Sequence, residues 1–146
     1  MSIRENKLFK GVSQDFMDQI NTIAVKESHE QGVSLFRTGD PAHNFYILHE
    51  GRICICAEDK GYEVSFVHIP GDFFGWSSLL DRTSYSASAE CVIPSTVVKI
   101  EKKQLNAVLK KDPANGLVFY KNFAEVIGGR FIDSNHIKDW FPSIET

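Results

Sequence analysis

Three cysteines in 146 residues, Cys54, Cys56 and Cys91, are too few and too irregularly spaced for a disulfide framework. No C-x-x-C occurs, so the chain spells neither a zinc knuckle nor a dithiol redox pair, and reduced, packed thiols are expected. The five histidines, His29, His43, His49, His68 and His136, form no H-x-x-x-H or H-E-x-x-H pair, and no serine stands in a nucleophile elbow. An enzyme is therefore not expected, and no catalytic or metal-binding residue is assigned. No apolar run approaches the roughly 18 to 20 residues that span a bilayer, and the opening Met1-Ser2-Ile3-Arg4-Glu5 lacks the apolar core of a signal peptide. A cytoplasmic location without membrane partners is expected. There is no basic excess either: 16 Lys and Arg against 19 Asp and Glu leave a formal charge of −3. The basic residues are scattered, which excludes the electrostatic footprint of a nucleic-acid binder.

What is present is an ordinary globular composition, 42% hydrophobic and 24% charged, in a length that suits one well-buried core. With no repeat, linker or low-complexity segment, residues 1–146 are expected to form a single domain. From Leu8 to Ala24 the apolar residues Leu8, Val12, Phe16, Ile20 and Ile23 recur every three or four positions, with Ser13 placed as a cap, which predicts an amphipathic helix. The period then becomes that of strands: Val33–Arg37, Asn44–Glu50, Arg52–Glu58, Glu63–Ile69, Ser84–Cys91 and Thr96–Glu101, each bounded by Gly, Pro or Asp. Six or more short strands at roughly ten-residue spacing describe an antiparallel sandwich or small barrel, with a β-roll or jelly roll as its natural closure. Helical periodicity returns over Lys102–Lys111. Asp112-Pro113 then supplies an N-cap and a first-turn proline for a helix running toward Phe131, so that C-terminal helices are expected over 102–140.

That last helix carries two adjoining apolar stripes, Phe119, Phe123 and Val126 beside Tyr120, Ala124, Ile127 and Phe131, wider than covering one sheet requires. A dimer interface is expected over Gly116–Phe131, formed by Phe119, Tyr120, Phe123, Ile127 and Phe131. Gly128-Gly129 predicts a bend or a close helix contact, and Trp140-Phe141-Pro142 a tail that folds back or joins an interface.

The most informative stretch runs from Ile69 to Ala89. Pro70-Gly71 reverses the chain after an apolar strand, Gly75 permits close backbone approach, and Trp76-Ser77-Ser78-Leu79-Leu80 begins a short helix whose amides favour an anion. Five pieces in order, Phe9-Lys10-Gly11-Val12-Ser13, Leu35-Phe36-Arg37-Thr38-Gly39-Asp40, Phe45 to Gly51, Pro70 to Gly75 and Ser78-Leu79-Leu80 with Ser86-Ala87, resemble the cyclic nucleotide-binding domain of catabolite-activator-like regulators, kinase regulatory subunits and channels. The resemblance covers nearly the whole chain. It implies a β-roll of about eight antiparallel strands flanked by N- and C-terminal helices, with a phosphate-binding cassette between Gly75 and Ala87. On it the candidate ligand residues are Phe74, Gly75, Trp76, Ser77, Ser78, Leu79, Arg82, Tyr85, Ser86 and Ala87.

Family members that bind cyclic AMP or cyclic GMP usually carry a glutamate where this chain has Trp76 and an arginine where it has Tyr85. Without those two contacts binding should weaken by about two to four orders of magnitude. Arg82 stands either as a substitute cation or as an exposed loop residue. Trp76 and Tyr85 fit two arrangements: packed together to fill the cassette, or forming an aromatic wall for a planar or uncharged ligand. No cofactor is assigned, with a cyclic nucleotide or other small effector as the candidate ligand. Haem sensing by a lone histidine has no support, and no cysteine cluster is present for an iron–sulfur sensor.

The expected function is a non-enzymatic regulatory or sensory module with weak or absent cyclic nucleotide binding, homodimeric, acting on a regulatory protein partner. The alternatives are a ligand-free dimerisation or interaction module and a true effector sensor related to transcription regulators. Those regulators carry a helix-turn-helix domain after the long helix. None is read here, so direct DNA binding is not expected.

Overall fold

The computed structural model describes residues 6–57 and 63–133. A 3₁₀ turn over Lys7–Phe9 precedes helix α1 (Gln14–Ile23). Eight strands follow: β1 (Val25–His29), β2 (Ser34–Phe36), β3 (Asn44–Glu50), β4 (Ile53–Ala57), β5 (Glu63–Val67), β6 (Phe73–Phe74), β7 (Ser88–Cys91) and β8 (Ser95–Glu101). A second 3₁₀ turn, Trp76–Leu79, sits between β6 and β7, and helices α2 (Lys102–Lys111) and α3 (Pro113–Asp133) close the described chain. The strands form two antiparallel sheets, ordered β1-β8-β3-β6 and β2-β7-β4-β5, which is the expected β-roll with helices at both ends.

Alternation along the strands sorts side chains onto two sides. Phe45, Ile47, Phe73 and Ile100 point away from the other sheet and bury Leu8, Phe16, Ile20, Leu105, Phe119 and Phe123 of the helices. Tyr46, Leu48, Phe74 and Val97 point between the sheets, where they meet Phe36, Ile53, Tyr85, Ala89 and Cys91. Both cores are continuous with strands β3 and β6, so the cassette that follows β6 is held from two directions.

Three expectations need correction. The apolar period from Leu8 to Ala24 is two elements, not one helix, because the chain turns at Gly11 with φ +88° and restarts at Ser13, whose hydroxyl caps the amide of Phe16 at 3.2 Å. The run Ser84–Cys91 contributes a strand only from Ser88, its first half making a single bridge between Ser84 and Pro41. Strand β1, Val25–His29, has no counterpart among the sequence-derived strands. The C-terminal helix meets its expected start, since Asp112 accepts from the amide of Asn115 at 3.2 Å and Pro113 occupies the first turn. The tail 134–146, with Trp140-Phe141-Pro142, lies outside the described residues.

A tight turn falls at Gly51, between β3 and β4. Its φ is +120°, and a β-carbon there would sit 2.7 Å from the α-carbon of Ser95. The room is taken by the Ser95 hydroxyl, which donates to Ile93 O at 2.8 Å and accepts from the Arg52 amide at 3.1 Å.

Candidate functional site

The cassette begins where β6 delivers Phe74 to the space between the sheets. Gly75 follows in the left-handed region, φ +71°, and starts the turn Trp76–Leu79. Both the amide and the hydroxyl of Ser78 donate to Gly75 O, at 3.3 and 2.9 Å, so the buried Ser78 serves the turn itself. The return arm is fastened to the loop before β3: Ala42 donates to Thr83 O at 3.0 Å, Tyr85 to Asp40 O at 2.9 Å and Gly39 to Tyr85 O at 2.9 Å.

Beneath the arm, the space between the sheets is solidly occupied by aromatic rings. Tyr85 is 4% exposed and stacks on Phe36, with centroids 3.8 Å apart and planes 14° from parallel. Its hydroxyl donates to Asn44 O at 2.6 Å and accepts from Asn44 N at 3.0 Å. Tyr46 and Phe74 stack beside this pair at 5.2 Å, and both reach Phe36, at 5.8 and 6.3 Å. A β-carbon on Gly75 would meet Tyr46 Cδ2 at 3.1 Å and Phe36 Cε2 at 3.3 Å. The close approach that this glycine permits is made by the protein's own aromatic rings.

Trp76 takes a different partner. It is 36% exposed, and its ring meets Phe123 of α3 edge-on, 6.2 Å between centroids and 66° between planes. Leu79, partly buried, packs against the same helix-side core. The two aromatics are thus separated, Tyr85 into the roll and Trp76 onto the C-terminal helix, so they do not pack together. Ser77 and Ala87 are half-buried and Ser86 is exposed. Arg82 lies on the exposed loop, where with Asp81, Thr83 and Ser84 it borders a shallow hollow of about 330 Å³ that includes neither Gly75 nor Ser86. Among the described residues no hydrogen bond or ion pair joins Arg82 to the cassette turn.

Burial governs the ionisation of the tyrosines here. Tyr46 is pushed far above its ordinary range, first by burial, then by Tyr85 and by the carboxylate of Glu27. Tyr85 is raised by burial and by Asp40, against the opposing pull of its bond to the Asn44 backbone. Tyr120 on α3 is raised by burial and by Asp81. A phenol with a raised folded-state pKa contributes stability below its unfolded value, near 10, and loses it as pH climbs through the folded value. Melting temperature is therefore expected to be insensitive to these groups at neutral pH and to fall above about pH 10. Parallel absorbance at 295 nm should show tyrosinate rising with unfolding; full tyrosinate in the folded protein near pH 10 would contradict the burial described here.

Two further features were not legible from spacing. Arg130 of α3 lies over the Phe73 ring at 4.6 Å, donates to Phe73 O at 3.4 Å and stands 3.8 Å from Asp72 Oδ1, so the helix is tied to the strand that enters the cassette. A groove of about 890 Å³ opens beside it between the N-terminal turn, the 69–73 turn and α3. Its charged lining is balanced, Lys7, Lys10 and Arg130 against Asp72, Glu125 and Asp133. No group of three metal-capable side chains occurs among the described residues.

The expected interface residues on α3 divide as well. Phe119 and Phe123, 1% and 7% exposed, belong to the chain's own helix-side core, packed on Phe9 and Phe73. They are unavailable to a partner, because the roll needs one stripe of the helix as its cover. Tyr120 is exposed, whereas Ile127 and Phe131 are partly buried, Ile127 against the core. Gly128 and Gly129 continue the helix, and a β-carbon on either would meet nothing within 4 Å.

The signature of the cyclic nucleotide-binding domain matches residues 26–112. This chain belongs to that family. The cyclic AMP receptor protein of Thermus thermophilus is 24% identical over 113 residues, 76% of this chain and 52% of that protein. Glutaminase 1 of Bradyrhizobium diazoefficiens is 24% identical over 133 residues, which are 91% of this chain and 21% of the enzyme. This cyclic nucleotide-binding domain thus spans about a fifth of one curated relative and about half of the other. Among solved structures, a candidate cyclic nucleotide-binding protein from Geobacter metallireducens superposes with a TM-score of 0.77 at 26% identity, covering 88% of this chain and 95% of that one. No described helix is long and apolar enough to cross a membrane.

Proposed function

We propose that this chain is a non-enzymatic regulatory domain whose nucleotide site is filled by its own side chains, so that cyclic AMP and cyclic GMP bind weakly or not at all. The observation that carries this reading is the Tyr85 ring, stacked on Phe36 and anchored through its hydroxyl to both backbone groups of Asn44. A ligand phosphate seated under the cassette would have to displace that ring, strip two buried hydrogen bonds and replace them without a cation. Each charge-assisted hydrogen bond it forgoes is worth about 1.5–3 kcal/mol.

What the domain keeps is mechanical continuity. The cassette turn meets α3 through Trp76 and Phe123, and the strand entering it meets α3 through Phe73 and Arg130. A partner that grips the turn therefore acts on the helix, and one that grips the helix acts on the turn. Calorimetric titration of the purified protein with cyclic AMP and cyclic GMP, with Trp76 fluorescence followed in parallel, tests the reading. No saturable binding below millimolar concentration is expected, and micromolar affinity for either nucleotide would overturn it.

A further inference from the structure

Helix α3 carries two glycines in its interior, Gly128 and Gly129, and no packing within the described chain accounts for either. Glycine is the poorest helix former after proline, yet a β-carbon at these positions would meet no described atom within 4 Å. The two differ in where they lie. Gly129 belongs to the lining of the 890 Å³ groove, with Val126 and Arg130 of the helix and Ile69 and Pro70 of the turn before β6, whereas Gly128 does not. Ile69 is 55% exposed. The groove therefore has an apolar wall without a partner and a floor where helix backbone lies bare.

The same groove stands where α3 ends. Asp133, the last residue of the helix, is part of the lining, so residues 134–146, which lie outside the described residues, depart from its rim. That segment includes Trp140-Phe141-Pro142, and Trp140 is seven residues beyond Asp133. Seven extended residues span about 23–25 Å, against about 6 Å of helix from Asp133 back to Gly129, so there is chain enough to reverse and reach the floor. A segment tethered this closely meets the groove at an effective concentration in the millimolar range, above what a free partner offers. A flat indole approaches helix backbone most closely where no side chain intervenes. The other chain end at the groove, residues 1–5 before Asn6, has no aromatic residue to offer.

We propose that this groove is the docking site of the chain's own C-terminal segment, with Trp140 laid on the bare backbone at Gly129 and Phe141-Pro142 against Ile69 and Pro70. Phe73 of the strand that enters the cassette lines the groove together with Arg130 of the helix. The docked segment is then a strap that ties α3 to that strand, and a partner that draws it away loosens the helix from the roll. This role goes beyond the reading of the nucleotide site and holds whether or not the cassette takes a ligand.

The chain has two tryptophans, so Trp76→Phe leaves Trp140 as its sole reporter. Its emission should be blue-shifted and shielded from acrylamide at every protein concentration, and Gly129→Leu, which fills the floor, should shift it to that of solvated indole. Melting curves of the full chain give an independent sign. On helix propensity alone Gly128→Ala and Gly129→Leu would each raise the melting temperature by about 2–4 °C. With the floor occupied, Gly128→Ala should raise it and Gly129→Leu should lower it, and in a Trp140→Ala background that loss should vanish. If Gly129→Leu does not fold, Ile69→Asp on the other wall must by itself release Trp140. A Trp140 fully open to quencher, a Gly129→Leu chain stabilised like Gly128→Ala, or shielding that survives both groove variants would overturn the proposal. So would shielding that appears only as concentration rises, which would place the segment on a second copy.

Discussion

Replacing Trp76 by glutamate and Tyr85 by arginine together is expected to raise affinity for cyclic AMP by about two to four orders of magnitude, moving it into the micromolar range. On the proposed reading the substitution supplies a carboxylate and a guanidinium where a nucleotide would sit, and it also removes the obstruction. Without the phenol, nothing holds the ring position over Phe36, and an arginine guanidinium can lie on that same aromatic face while turning its donors toward the cassette. The gain has a cost in stability. Both backbone groups of Asn44 lose their partner, at about 1–3 kcal/mol for buried groups left unpaired, and the melting temperature of the free variant should fall accordingly. Saturating nucleotide should return much of that loss, because binding to the folded state alone stabilises it by mass action. Calorimetry and melting curves with and without ligand separate the two effects. A folded variant that still ignores millimolar cyclic AMP would mean that Tyr85 does not occupy the phosphate position.

The same residues show where sequence reasoning reaches and where it stops. The punctuated strands and the Pro70–Gly75 turn are legible because alternation and turn chemistry are local, and local patterns survive in one dimension. Strand β1 is not, since Lys26, Glu27, Ser28 and His29 are polar and the pairing with β8, Val25 to Lys99 through His29 to Ser95, comes from a segment some seventy residues away. At this sheet edge Val25 itself is half exposed, so no apolar alternation marks the strand. Trp76 and Tyr85 stand out in the sequence, yet their partners do not. Nothing in spacing joins Tyr85 to Phe36 and Asn44, or Trp76 to Phe123, because those contacts depend on how two sheets and a helix close on each other. The division of the α3 stripes has the same origin: periodicity identifies two apolar faces, and only the roll decides which residues of each it covers.

Phe123→Asp should therefore unfold the protein, not dissociate a dimer. Phe123 is 7% exposed, with the rings of Phe73 and Trp76 at 5.5 and 6.2 Å, so truncating it already costs about 3–5 kcal/mol in cavity and lost transfer energy. A carboxylate placed there would be buried among aromatic rings, and its desolvation adds several kcal/mol more. Together these approach the whole folding stability of an ordinary domain, about 5–15 kcal/mol. The expected outcome is loss of the cooperative melt, or a fall of roughly 15 °C or more if a folded fraction persists. Tyr120→Asp is the informative contrast, because Tyr120 is 37% exposed and meets Phe119 only edge-on at 5.4 Å. It should leave the melt within about 2 kcal/mol of wild type. If Phe123→Asp kept a native melt and changed only the association state, the helix would have to turn its other face to the roll, and the link from Trp76 to α3 would go with it.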